Sequence, residues 1–106
     1  MMCGGASAPA AATAEVQQMV DGLREEAEHL CQAAGWNGVF VTCEAVSVLT
    51  QVVAGTNYFI SVRTDEQGGC AHLRVFAPLP HTRAPPQVVA VRPGLTQADE
   101  LVYFDG

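Results

Sequence analysis

The sequence predicts an α+β fold in which one long N-terminal α-helix packs across an antiparallel β-sheet of four to five strands. Apolar residues recur at spacings of three and four only in the first third of the chain. The remainder consists of valine-rich, alternating segments separated by polar or proline-rich turns. One amphipathic helix laid on such a sheet would bury the apolar faces of both. With 106 residues, the chain is expected to form a single domain, residues 1–106.

The helix is expected from about residue 14 to about residue 34. Thr13 suits the N-cap, and Glu15 places a negative charge in the first turn, where the helix dipole favours it. Gly35 is a natural stop. The residues before the helix, 1–12, lack periodicity and are expected to form an extended arm. The apolar stripe of the helix comprises Val16, Met19, Val20, Leu23, Ala27, Leu30, Cys31 and Ala34.

An antiparallel meander is expected after the helix. Its connections are a glycine-rich hairpin loop at 65–69 and a proline-rich loop at 78–86, since proline cannot join a central ladder. Pro93-Gly94 is expected to break the fourth strand. The connections that follow the first and third strands lie at the same end of the sheet. The predicted strands are 39–50, 56–64, 70–77, 88–91 and 101–104.

The connection after the first long strand has an unusual composition, Gln51-Val52-Val53-Ala54-Gly55. Turns favour glycine, proline, asparagine, aspartate and serine, whereas β-branched residues are stiff. An apolar tip at this place indicates a surface that must be presented to a partner. Taken alone, Val52 and Val53 would also suit an ordinary strand core, and residues 78–86 would suit a stiff connector.

Charge and hydropathy exclude several classes of function. The net charge is −6 with five Lys+Arg, which argues against nucleic acid and anionic membranes as partners. No run approaches the roughly 20 apolar residues of a membrane span. The N-terminus lacks the basic and apolar regions of a signal peptide, so a cytoplasmic protein is expected.

Cysteine chemistry offers the rival interpretations. No two cysteines lie at Cys-x-x-Cys spacing, so neither a metal site nor a redox motif is supported, and all four thiols are expected to be free. An enzyme could pair Cys70 with His72 on one strand face, although no oxyanion site accompanies them and His72 is better explained as a half-exposed structural residue. An intracellular interaction protein or a thiol-buffering protein is the other alternative. The cysteines are Cys3, Cys31, Cys43 and Cys70.

Seven segments, in order, resemble the stefins, the single-domain intracellular cystatins. The match is nearly residue for residue at 51–60, 72–76 and 79–81. Departures are a longer connection at 33–38 that contains Trp36, a proline (Pro86) where the fourth strand should begin, and an extension past the usual aromatic end. The remaining matching segments are 1–4, 12–15, 99–101 and 103–104.

The resemblance implies a cystatin-like fold and a reversible, tight-binding competitive inhibitor of papain-like cysteine proteases of the cathepsin type, not an enzyme. A three-part wedge would plug the active-site cleft, with no cofactor or metal. The family also implies a monomer, allows a domain-swapped dimer, and allows a nuclear as well as a cytoplasmic location. The implied protease-binding residues are Met2, Cys3, Gly4, Gln51, Val52, Val53, Ala54, Gly55, Leu79, Pro80 and His81.

Overall fold

One helix and a five-stranded antiparallel sheet make up the computed structural model, which describes residues 8–105. The strands are arranged in sequence order, β1-β2-β3-β4-β5, so the sheet is a meander. This confirms the predicted α+β architecture. The elements are β1 (Ala10–Ala11), α1 (Ala14–Ala33), β2 (Glu44–Val53), β3 (Gly55–Arg63), β4 (Gly69–Ala77), a 3₁₀ turn (Pro80–Thr82) and β5 (Gln87–Thr96).

Helix α1 begins and ends close to where its sequence signals predict. The Thr13 side chain accepts a hydrogen bond from the backbone N–H of Val16 at 3.2 Å, which satisfies one of the free donors of the first turn. Gly35, just beyond the helix, has φ of +100°, a left-handed conformation that glycine adopts at little cost. The predicted stripe contains the four residues that the helix buries: Val16, Val20, Ala27 and Cys31.

The segment between α1 and β2 corrects the first strand boundary, because β2 begins at Glu44 rather than at residue 39. The backbone of Phe40 bonds to the helix and not to a neighbouring strand. Its N–H donates to Glu28 Oε2 at 2.6 Å, and its carbonyl accepts from Arg24 Nη2 at 2.7 Å. These bonds place the Phe40 ring in the core, 4% exposed, and keep the segment out of the ladder.

The main core lies between α1 and one face of the sheet. Gln17 ties the first turns of the helix to the start of β2, since its side-chain amide donates to the Cys43 carbonyl at 3.0 Å and accepts from the Ala45 N–H at 2.8 Å. The strands contribute a continuous apolar surface to this core. Its buried strand residues are Val48, Ile60, Val62, Ala71, Leu73, Val75 and Val88.

The opposite face of the sheet is covered by the C-terminal segment, residues 101–105, and not left to solvent. A last strand at 101–104 was expected, but these residues form no strand. They pack across the sheet, where Phe59 lies 5.6 Å from Phe104 and 5.0 Å from Tyr103, centroid to centroid. Leu49 and Leu101 complete this second buried cluster.

Strand β5 forms one edge of the sheet and is longer than the sequence predicted. This strand continues through Pro93-Gly94 to Thr96, whereas the sequence predicted a break after residue 91. Proline is tolerated because β5 is an edge strand, where a missing N–H need not remove a ladder bond. The other edge is completed by β1, whose Ala10 and Ala11 pair with Val48 and Ser47. The described end of the expected arm is therefore part of the sheet.

His72 is buried, 2% exposed, although the sequence suggested a half-exposed residue. The difference arises because the face on which it lies is covered, and among the described residues its Nε2 has no hydrogen-bond partner. Burial lowers the pKa of His72 below its usual value of 6.5. The carboxylate of Asp99 opposes that shift, and the guanidinium of Arg92 adds to it.

We expect Phe104→Ala to lower the free energy of unfolding by about 3 kcal/mol, since truncating a buried aromatic ring loses its burial and leaves a cavity. Urea denaturation followed by circular dichroism measures the change. Val102→Ala is the matched control in the same segment, because Val102 is 41% exposed, and it should cost under about 1 kcal/mol. Equal losses for both variants would contradict the covered face.

We expect stability to fall as the pH drops below 6.5 because of His72. Above that pH, the histidine is neutral in both states. Below it, the unfolded chain binds a proton that the folded chain, with its lowered pKa, does not. The loss between pH 7.5 and 5.5 should reach up to about 1.4 kcal/mol.

Urea denaturation of the natural chain and His72→Gln at both pH values isolates this contribution. The exposed His29 and His81 are present in both proteins, so the difference between the two pH slopes reports on His72 alone. Identical slopes would show that His72 titrates alike in the folded and unfolded states.

Candidate functional site

The β2–β3 turn presents two valines to solvent. Val52 is 74% exposed and Val53 is 50% exposed. Both belong to regular strand, because Val52 pairs with Thr56 and Val53 with Gly55, leaving Ala54 alone at the tip. From sequence, residues 51–55 were all expected to belong to the connection. Pairing up to Val53 instead holds both valines in extended strand, with their side chains on opposite faces.

Gly55 makes this tight turn feasible. Its φ is +122°, which strains any residue with a side chain. A Cβ on Gly55 would lie 2.7 Å from the carbonyl oxygen of Ala77 and 2.8 Å from Cζ of Phe76. The turn is therefore seated directly on the end of β4, and the close approach is available to glycine alone.

A side-chain pair braces the strands beneath the tip. Asn57, only 5% exposed, donates from Nδ2 to Oε1 of Gln51 at 3.1 Å, and the two residues are cross-strand partners. From sequence, Gln51 was assigned to the binding tip and Asn57 was given no role. The available signal was the presence of asparagine, a residue that is depleted in strands, within a predicted strand.

The loop after β4 lies next to this turn. Ala77 pairs with Thr56, so residues 78–86 leave the sheet at the edge where β2 and β3 turn. Leu79 is 41% exposed, and Pro80 and His81, in the 3₁₀ turn, are exposed as well. The structure thus places the two predicted loops side by side.

Thr82 holds the second loop in shape. Its hydroxyl donates to the Leu79 carbonyl at 2.7 Å and accepts from the Ala84 N–H at 3.3 Å. The backbone N–H of Thr82 also donates to Leu79, at 3.0 Å, and that of Arg83 donates to Pro80, at 3.1 Å. Sequence analysis missed Thr82, although a threonine close behind a proline is a usual turn-forming residue.

The third predicted part, Met2, Cys3 and Gly4, lies outside the described residues. The described chain begins at Ala8, and β1 runs antiparallel to β2 with Ala10 opposite Val48. Residues 8 and 9 are therefore on the side of β1 that is nearer to the β2–β3 turn. We call the two described loops, 51–56 and 78–84, the binding edge.

The Cys70–His72 pair does not have the features of a nucleophilic site. Both residues are 2% exposed, so solvent barely reaches either side chain. Burial raises the pKa of the Cys70 thiol, and a thiolate is the reactive form of cysteine. Burial likewise raises the pKa of Cys31 and of Cys43 to about 11. These three described cysteines are free thiols, and Cys3 lies outside the described part.

Residues 8–105 contain neither a metal-ion cluster nor a membrane-spanning helix. No three side chains of histidine, cysteine, aspartate or glutamate come together there in a way that could hold a metal ion. No helix in the same range is long and apolar enough to cross a membrane.

Comparison with known proteins finds a matching family model and relatives that belong to the same family. The family model described as "Cystatin domain" matches residues 4–90. Cystatin-B of Mus musculus is 42% identical over 106 residues, covering 98% of this chain and 100% of the relative. Cystatin-B of Homo sapiens is 42% identical, and that of Bos taurus 39%, over 104 residues with the same coverage. The match spans the helix, β2, β3, β4 and both loops of the binding edge, and we conclude that this chain belongs to the cystatin family.

Proposed function

We propose that this protein is a reversible, tight-binding competitive inhibitor of papain-like cysteine proteases and has no catalytic activity of its own. The observation that carries the proposal is the binding edge, in which two exposed apolar loops are held side by side by the seating of Gly55 on β4. Membership of the cystatin family supports the same function.

The two loops of the binding edge contact different regions of the protease cleft. Val52, Val53 and Ala54 contact the apolar rim beside the catalytic cysteine of the protease. Leu79 and Pro80 fill the primed side of the cleft, with His81 at its rim. No peptide bond of the inhibitor reaches the protease nucleophile, so no acyl-enzyme forms and the chain is released intact.

The arm around Met2, Cys3 and Gly4 completes the wedge by lying in the non-primed subsites. A glycine at position 4 allows the backbone to pass close to the enzyme surface, because it has no Cβ. Gln51 and Gly55 contribute indirectly, because they hold the first loop in position. Gln51 accepts the hydrogen bond from Asn57, and Gly55 lets the turn pack closely against the end of β4.

Apolar burial and preorganisation supply the affinity. Val52, Val53 and Leu79 are each about half exposed or more, so burying them against the protease contributes on the order of 1 kcal/mol apiece. The strand pairing and the Thr82 hydrogen bonds fix both loops before contact. Little loop entropy is then lost on binding.

The alternative, a thiol-buffering or non-inhibitory interaction protein, is less well supported. Thiol buffering needs exposed thiolates, whereas burial raises the pKa of all three described thiols. We further propose a mainly monomeric protein located in the cytoplasm and able to enter the nucleus.

We expect the protein to inhibit papain competitively, and Val53→Asp to weaken inhibition at least about tenfold. The substitution removes an apolar contact and places a carboxylate in an apolar cleft, which costs more than about 1.4 kcal/mol. Steady-state inhibition assays give the inhibition constants. Intact-mass analysis after long incubation shows whether the chain is cut.

Val41→Asp is the matched control for charge and composition. Val41 is 62% exposed, but its backbone N–H bonds to Thr64, at the far end of the sheet. This variant should inhibit as the natural chain does. Absence of papain inhibition by the natural chain, or progressive cleavage within residues 51–55, would refute the proposal.

A domain-swapped dimer follows if the β2–β3 turn straightens, joining both strands into one that pairs with a second copy. We expect Gly55→Ala to increase such a dimer, because the substitution strains the turn and brings a Cβ within 2.7 Å of the Ala77 oxygen. The dimer should not inhibit, since its tips lie within extended strands. Size-exclusion chromatography under reducing conditions, followed by assay of each peak, tests this.

Gly68→Ala provides the control for backbone strain. Gly68 also has positive φ, +91°, but a Cβ there meets nothing within 4 Å. This variant should be less stable than the natural chain yet remain monomeric. A Gly55→Ala dimer that inhibits as well as the monomer would mean that the copies associate through another surface.

A further inference from the structure

The guanidinium of Arg83, unlike that of every other arginine, has no partner among the residues that the structure describes. Arg24 donates to the Phe40 and Val41 carbonyls, and Arg74 donates to Asp105. Arg63 forms an ion pair with Glu44 at 2.6 Å, and Arg92 lies 4.4 Å from the Phe104 ring centroid. Within residues 8–105, the exposed Arg83 guanidinium makes no comparable contact.

The backbone of Arg83 is also strained. Its φ is 58° and its ψ 13°, and it is the non-glycine residue with positive φ in the described chain. A left-handed conformation costs an ordinary residue free energy that glycine avoids and asparagine largely avoids. Strained residues cluster at functional sites, where another requirement maintains them. Nothing within the described fold requires an arginine here.

The two loops of the binding edge contain no acidic residue. The chain carries eleven Asp+Glu against five Lys+Arg, yet no aspartate or glutamate occurs between residues 45 and 64 or between 67 and 98. The binding edge therefore bears a fixed positive charge on a molecule whose net charge is −6. Such a charge orients an approaching partner and favours a negative surface opposite it.

We propose that Arg83 is a specificity-determining residue that pairs with a carboxylate on the primed-side rim of the protease cleft. The inference rests on the proposed inhibitory function and adds a preference among its targets. Leu79 and Pro80 would occupy the primed side, and the turn held by Thr82 carries Arg83 beside them. Proteases with an acidic primed-side rim are then bound faster and more tightly than those without.

The test uses one papain-like protease with carboxylates on its primed-side rim and a variant of it in which amides replace them. Association rates and inhibition constants are measured for the natural chain, Arg83→Gln and Arg83→Lys. Arg83→Gln should weaken inhibition of the acidic form about two- to fivefold, as expected for an exposed charge pair. It should leave the amide form unaffected, and Arg83→Lys should retain most of the effect. The difference should vanish near 1 M salt.

Two further variants separate charge from conformation. Arg63→Gln makes the same change in net charge at the opposite end of the sheet, where Arg63 pairs with Cys70, and should leave both association rates unchanged. Arg83→Asn removes both the charge and the backbone strain. It should raise the melting temperature by about 3–8 °C while losing the same preference as Arg83→Gln.

Equal inhibition of both protease forms by the natural chain and by Arg83→Gln would overturn the assignment. An equal loss against both forms would also overturn it, because the residue would then act through loop shape rather than charge. Failure of the natural chain to inhibit either form is a separate result, which rejects the inhibitory function itself.

Discussion

The close seating of Gly55 on the end of β4 is the constraint on which the binding edge depends. Only a hydrogen can occupy the space between its Cα and the Ala77 oxygen, since a Cβ would lie 2.7 Å away. This contact joins the turn of the first loop to the residue that begins the second. The two loops therefore lie side by side at one edge of the sheet, and each exposes apolar side chains.

Burial of the sheet on both faces stiffens the strands that carry this edge. Helix α1 covers one face, and the C-terminal segment covers the other through Phe59 and Phe104. Tyr103 extends the support towards the tip, because its hydroxyl donates to the Thr50 carbonyl at 3.3 Å. A sheet held from both sides can present apolar residues at its end without those residues collapsing onto the core.

Acidic residues are absent from the binding edge and occur elsewhere in the chain. The carboxylates lie on the helix, at the start of β2, in the β3–β4 hairpin and in the C-terminal part of the chain. The binding edge lacks them, so its apolar side chains can be desolvated without burying an unpaired negative charge. The acidic surface and the proposed protease-binding surface consequently occupy different parts of the molecule.

The sequence by itself determined the α+β architecture, the limits of α1, the meander, the apolar connection at 51–55 and the proline-rich loop at 78–86. These follow from periodicity and turn composition, which are local properties, whereas the choice of residues 79–81 as a binding segment came from the resemblance to the stefins. Periodicity reports which side chains are buried but not what buries them. The C-terminal segment was therefore mistaken for a strand, and the burial of His72 was missed.

Tertiary structure alone decided the start of β2, through bonds from Arg24 and Glu28 to Phe40, and the tip at Ala54, through the strand register. The first depends on contacts between residues distant in sequence, and the second on the close approach of Gly55 to Phe76 and Ala77, which lie on another strand. No local pattern encodes those contacts.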